Sequence, residues 1–433
     1  MKWATSLLLG IAALNVVSCG PDPIDPQRQI GANPYLPDIH QYLLPPMHVA
    51  KVTGWNGETP KVAAGLKIEA LASDLKNPRS LYVLPNGDVL VVEADGPKAP
   101  INRPKEFIMN WIEKRAHSNT KAGNRIVLIR PAKDGQPALK TTFIDRLNSP
   151  FGVVLVGDDL YVANTDAVTR FSYQTGQTKI DGPGVKLTDL PAGPINHHWT
   201  KSLTANADGT KLYAGVGSNS NITENGIQAE LDRASIWEID RASGAHREFA
   251  TGLRNPNGLQ FEPQTKTLWA VVNERDELGP DLVPDYMTSV KDGAFYGWPY
   301  SYYGQHIDPR VQPQRPDLVA KAIAPDYALS SHVAPLGMIF YTGTNLPDTY
   351  RGGAFVGEHG SWNRQAYNGY KVVYVPFRDG KPDGIAQDVV TGFLGDQDSV
   401  HGRPVGLAVD NQGGLLIADD VGNTVWRVTA QDH

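Results

Sequence analysis

Asn255-Pro256-Asn257-Gly258-Leu259, followed after a polar turn by Thr267-Leu268-Trp269-Ala270-Val271, is the stretch on which the fold reading rests. A Pro/Gly-marked turn opens one aliphatic strand, a turn reverses the chain, and a second aliphatic strand follows. The same unit recurs on both sides. Asn77–Leu81 leads to Asp88–Val92, Ser149–Val153 to Asp159–Ala163, and Thr200–Leu203 to Lys211–Ala214. Ala334–Met338 leads to Ala354–Val356, and Arg403–Leu407 to Gly414–Ala418. A third, alternating strand closes most units, at Arg125–Ile129, Ala167–Phe171, Ser235–Ile239, Tyr370–Val375 and Thr424–Val428. Six copies joined by tight turns such as Asn86-Gly87 and Asp208-Gly209 predict an all-β fold, a six-bladed β-propeller. The copies are spaced more widely than bare blades need, so several loops carry insertions. One, near Pro104–Ser118, has helical periodicity; another runs from Asp276 to Pro325.

Composition agrees and narrows the function. The 433 residues include 43 glycines and 33 prolines, as a chain full of turns requires. Only 20% of residues are charged and the net charge is −6, without the concentrated positive charge that binding nucleic acid demands. At 41% apolar residues, general disorder is excluded. Cys19 is the single cysteine, so a disulfide scaffold and a cysteine-held zinc or iron–sulfur centre are both impossible.

The N-terminus accounts for that cysteine. Met1-Lys2 precedes an apolar stretch from Trp3 to Val17, of secretory length and short for a spanning helix. It ends Val16-Val17-Ser18-Cys19-Gly20, which resembles the lipobox of bacterial lipoproteins. The expectation is a lipoprotein signal peptide over residues 1–18, diacylglycerol on Cys19, and a periplasm-facing outer-membrane lipoprotein in a bacterial envelope. The lipid would be the chain's only link to the membrane. Residues 19–61 carry the anchor and a linker, with Pro21, Pro23, Pro26, Pro34, Pro37, Pro45 and Pro46 stiffening it as an extended spacer. The folded body is expected over residues 62–433.

Loops that lead into the innermost strands of a propeller gather at one mouth of its channel. His197-His198, Arg254-Asn255, His332, His401 and Arg403 all sit at or just before such a strand, and four of the eleven histidines are among them. Neutral imidazole is the natural base for a hydroxyl proton near pH 7. Arginines bind carboxylates and stabilise developing oxyanions. No phosphate loop, no G-x-G-x-x-G after a strand and no G-x-S-x-G elbow occurs, so nicotinamide, ATP and serine-hydrolase chemistry lack sequence support.

Several strings carry a resemblance. They are Gly252-Leu253-Arg254-Asn255-Pro256-Asn257-Gly258-Leu259, Asn273-Glu274-Arg275-Asp276-Glu277-Leu278-Gly279-Pro280-Asp281 and Tyr296-Gly297-Trp298-Pro299. With them go His197-His198-Trp199, Ser218-Asn219-Ser220-Asn221, His332-Val333-Ala334-Pro335, Gly357–Arg364 and His401–Gly406. Taken in chain order, from about Val62 to the C-terminus, they resemble the soluble quinoprotein aldose (glucose) and sorbosone dehydrogenases. These are six-bladed propellers that use pyrroloquinoline quinone (PQQ) and calcium.

The resemblance implies a dehydrogenase that oxidises an aldose or sorbosone-like sugar and passes the electrons to an acceptor it does not name. By position, His198 would be the general base, and Arg254, with Asn255 beside it, would stabilise charge on the quinone. Arg403 would pair with a cofactor carboxylate, with His332, His401, Arg364 and His197 as further cofactor-side contacts. His197 stands where the family has an aspartate that orients the base, and His401 where it has a second arginine. Calcium would be held by the loop with Arg275, Asp276, Gly279, Pro280 and Asp281, mainly through main-chain oxygens. Without the resemblance, the acidic run from Glu274 to Asp285 also reads as a solvated loop. Two other function classes stay open: a calcium-dependent sugar lactonase on a similar propeller, and a non-catalytic ligand-binding propeller.

Overall fold

In the computed structural model, residues 24–41, 47–97, 123–132 and 138–431 are described. Cys19, the expected signal peptide and the Pro104–Ser118 insertion lie outside them. Six antiparallel sheets of four or five strands are formed. Their innermost strands are Pro78–Val83, Gly152–Val156, Leu203–Ala205, Pro256–Phe261, Pro335–Phe340 and Pro404–Val409, which define blades 1 to 6. Each touches the next, and the last touches the first, closing a ring around a channel. Proline opens four of these strands, a place where its missing N–H leaves no gap in the ladder.

The second strand of each blade is almost wholly buried, as in Val89–Glu93, Leu268–Val272 and Leu415–Asp419. Both of its faces meet a neighbouring blade, which is why these strands read as unbroken aliphatic runs. Six apolar clusters fill the six seams. Leu90, Val92, Val153 and Leu160 lie between blades 1 and 2, for example, and Leu81, Val89, Leu416 and Ala418 between blades 6 and 1. The ring is closed by pairing a strand that precedes blade 1 with the last strand of blade 6. Leu66–Ala72 adds to Thr424–Ala430 as the outer strand of blade 6, with Ile68 opposite Val428.

The stretch expected as a spacer is not free of the body. Ile30–Gly31 extends the outer edge of blade 4 and Lys61–Val62 that of blade 5. Lys51–Val52 pairs in parallel with Ser399–Val400. Gln29, Val49, Ala50 and Trp55 are buried, and these anchors turn residues 24–41 and 47–61 into a strap on the propeller.

Candidate active site

The loop before the inner strand of blade 3 presents His198, half-buried. Its Nδ1 lies 2.8 Å from the Ser218 carbonyl oxygen and 3.0 Å from Ser218 Oγ. A carbonyl can only accept, so Nδ1 carries the hydrogen and Nε2 of the neutral ring carries the lone pair. The Ser218 hydroxyl donates to the Ser220 carbonyl at 2.6 Å, leaving its oxygen to accept from Nδ1. The Ser218 N–H donates to the Arg254 carbonyl at 2.7 Å, so one residue ties the His198 loop to the start of blade 4. Gly217 permits this closeness: a β-carbon there would lie 2.5 Å from both His198 Cβ and Asn255 Oδ1. Asn255 Oδ1 is itself buried with no hydrogen-bond partner. Lys201, fully buried, holds the same turn by donating to the Trp199 and His198 carbonyls at 3.2 and 3.4 Å. Burial first, then the charges of Arg254 and His197, push the His198 pKa well below the ordinary imidazole value. The ring is therefore a neutral base over the physiological range. His197 is exposed and meets His198 edge-on, with centroids 4.7 Å apart.

Arg254 is buried, and its donors are committed. Nε donates to the Asn221 carbonyl, Nη1 to the carbonyls of Asn273 and Glu274, and Nη2 to Asn221 Oδ1. Asp276 Oδ2 stands 3.6 Å away. In this arrangement every nitrogen of Arg254 already donates to the protein, and its main contribution is positive charge. Burial alone would raise the Asp276 carboxyl. The His332 ring beside it and the charges of Arg254 and Arg275 outweigh it and hold the pKa at about 2. His332 Nδ1 lies 3.3 Å from Asp276 Oδ1, and Asn363 Nδ2 donates to the same oxygen at 2.6 Å. His332 has φ +59° and Ala334 φ +52°. For side chains other than glycine this conformation costs roughly 1–3 kcal/mol each, so the packing holds His332 in place against its own backbone preference.

A second cluster forms where blades 5, 6 and 1 meet. Arg79 Nη1 donates to Asp420 Oδ2 at 2.5 Å, and His359 Nε2 lies 2.9 Å from the same oxygen. Burial would raise the Asp420 carboxyl, but His359, Arg79 and Arg403 pull it down to about 2. Burial outweighs Asp420 at His359 and lowers its pKa, so a neutral His359 donates to an ionised Asp420. Arg403 lies over the Tyr370 ring, 5.1 Å from its centroid, and Nη2 donates to the Tyr370 hydroxyl at 3.4 Å. Arg79 Nε, Arg403 Nε and Asp420 Oδ1 are buried without a partner. Arg79 also covers the ring of Trp199, the residue after His198, at 5.8 Å.

Other expected positions are placed differently. Arg364 donates to Asp281 Oδ1 at 2.6 Å and to the Ser331 carbonyl at 3.2 Å, both groups buried. It is a structural ion pair and leaves no charge over for an anion. His401 turns to the strap, with Nδ1 2.9 Å from the Gly54 carbonyl and its ring stacked on Trp55 at 5.4 Å. In the expected calcium loop, three main-chain oxygens already accept from protein donors. Asp276 O takes Arg275 Nη2 at 2.7 Å, Gly279 O takes His332 Nε2 at 3.2 Å, and Asp281 O takes Gln29 Nε2 at 2.6 Å. Arg275 itself is fully buried and paired with Asp308. Pro280 sits in the bend of this loop, between Gly279 and Asp281. Among the described residues, no group of three or more His, Cys, Asp or Glu side chains is placed to hold a metal ion.

No site role was expected of Arg79, His359, Asp420 or Ser218, although Ser218 and His359 lie within the strings that carry the resemblance. The rule that selected Arg254 and Arg403, a charged residue at the start of an inner strand, also selects Arg79. Asp420 directly follows a second strand, where no motif marks it. A cavity of about 510 Å³ opens between the inner strands and the Gly157 and Asp208–Gly209 turns. It is at the opposite mouth, and neither His198, Arg254 nor Arg403 lines it. The chemistry, not the cavity, locates the site.

A family model described as Glucose / Sorbosone dehydrogenase matches residues 75–361 of this six-bladed ring. The chain belongs to that family. As a Glucose / Sorbosone dehydrogenase family member it also matches a TrAA12-like model over residues 311–431. It is 49% identical over 294 residues to a pyrroloquinoline quinone-dependent pyranose dehydrogenase of Coprinopsis cinerea. That match covers 54% of this chain and 39% of the relative, so the chain spans well under two thirds of that protein. Among solved structures, the holo form of the pyranose dehydrogenase PQQ domain of the same fungus superposes with a TM-score of 0.66 at 20% identity. The superposition covers 86% of this chain and 97% of that one. A calcium structure of the Trichoderma reesei family AA12 enzyme gives 0.68 at 19% identity, covering 88% and 98%. At these identities the structural likeness establishes the six-bladed propeller. The Coprinopsis cinerea relative, and the solved PQQ domain from that fungus, are named as a pyranose dehydrogenase, a sugar dehydrogenase.

Proposed function

We propose that the protein oxidises an aldose or related sugar, at a hemiacetal or aldehyde-derived hydroxyl, with PQQ as its cofactor. The observation that carries this reading is the His198–Ser218 bond, which fixes an unprotonated Nε2 at the channel mouth. PQQ, when bound, supplies a two-electron hydride acceptor. The residues present suit its three carboxylates, because the Nε atoms of Arg79 and Arg403 are buried donors without partners. Arg403 and Arg79 would hold the anion, Asp420 and His359 keeping Arg79 in position.

The chain's own part in the reaction is to handle the proton. Nε2 of His198 takes the hydroxyl hydrogen as the C–H bond breaks, leaving a carbonyl product, a lactone where the sugar is cyclic. Arg254 places positive charge near the reacting oxygen, and burial together with that charge keeps the imidazole neutral beforehand. Calcium would be held by the Glu274–Asp285 loop: the Gly279 and Asp281 carbonyl oxygens each accept one hydrogen bond, from His332 and Gln29, and keep a second lone pair, whereas Asp276 O is taken by Arg275 and Asn221.

Reconstituting purified protein with PQQ, with and without calcium, and following dye reduction by a panel of aldoses tests the reading. Sugar-dependent reduction is expected. Saturable PQQ binding without any sugar-dependent reduction would favour a binding propeller instead. The lipid on Cys19 belongs to the same proposal. Cys19→Ser is expected to move the protein from the membrane fraction to the soluble one, and unchanged fractionation would remove the anchor.

A further inference from the structure

The family aspartate expected to orient the base is replaced by His197, and His197 is exposed with its ring edge-on to His198. Another group must therefore set the imidazole. We propose that Glu230, two links away, is the positioning carboxylate for His198. This rests on His198 being the base in the reading above.

The chain of contacts is continuous. Glu230 is buried in the short 3-10 helix Ile227–Glu230, and both of its oxygens face the Ser218–Ser220 turn. Oε2 accepts from the Asn219 N–H at 2.6 Å, and Oε1 accepts from the Ser220 hydroxyl. Ser220 is thus locked, its Oγ also accepting from the Thr223 N–H at 2.9 Å. Its carbonyl receives the Ser218 hydroxyl at 2.6 Å. That fixes the Ser218 rotor and the peptide whose oxygen takes the His198 Nδ1 hydrogen at 2.8 Å. A carboxylate is acceptor-only, so it can hold an N–H and an O–H together without conflict. Truncating it would leave two buried donors unmet and free the turn.

The function is that of a carboxylate that selects a histidine tautomer, exercised through a backbone carbonyl. Loss of the fixed Nδ1–H admits the other tautomer, whose Nε2 carries the hydrogen and cannot act as base.

The test uses ¹⁵N-histidine-labelled full chain without cofactor, with Glu230→Ala and Glu230→Gln beside wild type. Wild-type His198, assigned by comparison with His198→Ala, is expected as the single Nδ1–H tautomer. Glu230→Ala should show both tautomers, while Glu230→Gln, which keeps one acceptor oxygen, should lie between them. With PQQ bound, Glu230→Ala should lower kcat about 10–100-fold with little change in KM, as the loss of an outer partner of a working histidine does. An unchanged tautomer together with unchanged kcat would overturn the proposal. Should the alanine variant fail to fold, the glutamine variant decides by the same two readings. If wild type binds PQQ but oxidises no sugar, the functional reading falls, and the tautomer spectra still decide what positions His198.

Discussion

Two sides of the channel mouth hold arginines in opposite ways. Beside His198, the Arg254 guanidinium is committed to the Asn221, Asn273 and Glu274 carbonyls and to the Asn221 side chain. Across the ring, Arg79 and Arg403 each keep a buried Nε without a partner. A guanidinium with its donors met by the protein contributes field and rigidity. One left with a donor to spare can take a ligand's oxygen. The first side is built for moving a proton, the second for holding an anion.

That contrast can be broken at four points. His198→Ala should lower kcat by about 10²–10⁴-fold, the usual range for a positioned base, with PQQ affinity nearly unchanged. Equal losses in both would place His198 in cofactor binding. Arg364→Met leaves Asp281 as an unpaired buried charge and should cost about 3–5 kcal/mol in urea unfolding. Its PQQ affinity should hold, and a weakened affinity without loss of stability would restore Arg364 to the cofactor side. Arg403→Gln should raise the PQQ dissociation constant by about 10–100-fold, as loss of a charge-assisted hydrogen bond does. At saturating PQQ, kcat should recover. The smallest effect is on pH. His198 is lowered from its ordinary value by burial and by nearby cations, and a base works only while unprotonated. Activity should therefore persist as pH falls past about 6.5 and drop only at more acid pH. An acid limb at or above the ordinary imidazole value would show that His198 is not the titrating base.

The architecture was legible because each blade repeats one turn-and-strand unit. All six inner strands begin within the expected motifs. Burial on both faces makes the second strands aliphatic throughout, a signal that survives in one sequence. The site was legible where a residue sits at a fixed offset from those turns, as His198, Arg254 and Arg403 do. It was not legible where function depends on who else reaches a side chain. Arg364 and Arg403 look alike in sequence. Only the buried Asp281 beside one of them separates a structural pair from an available cation. Likewise, prolines marked the linker within residues 19–61 as extended. The seating of Trp55 Nε1 on Asp419 Oδ2, 2.6 Å apart and 364 positions along the chain, has no local signature.

The most direct test is an anaerobic single turnover. Protein loaded with PQQ is mixed with excess aldose and the cofactor's absorbance followed, in wild type and in His198→Ala. Full sugar-dependent reduction is expected in wild type. In His198→Ala, PQQ should bind equally tightly while reduction runs at least about 100-fold slower. Reduction at the wild-type rate without the imidazole would contradict the role of His198 as base.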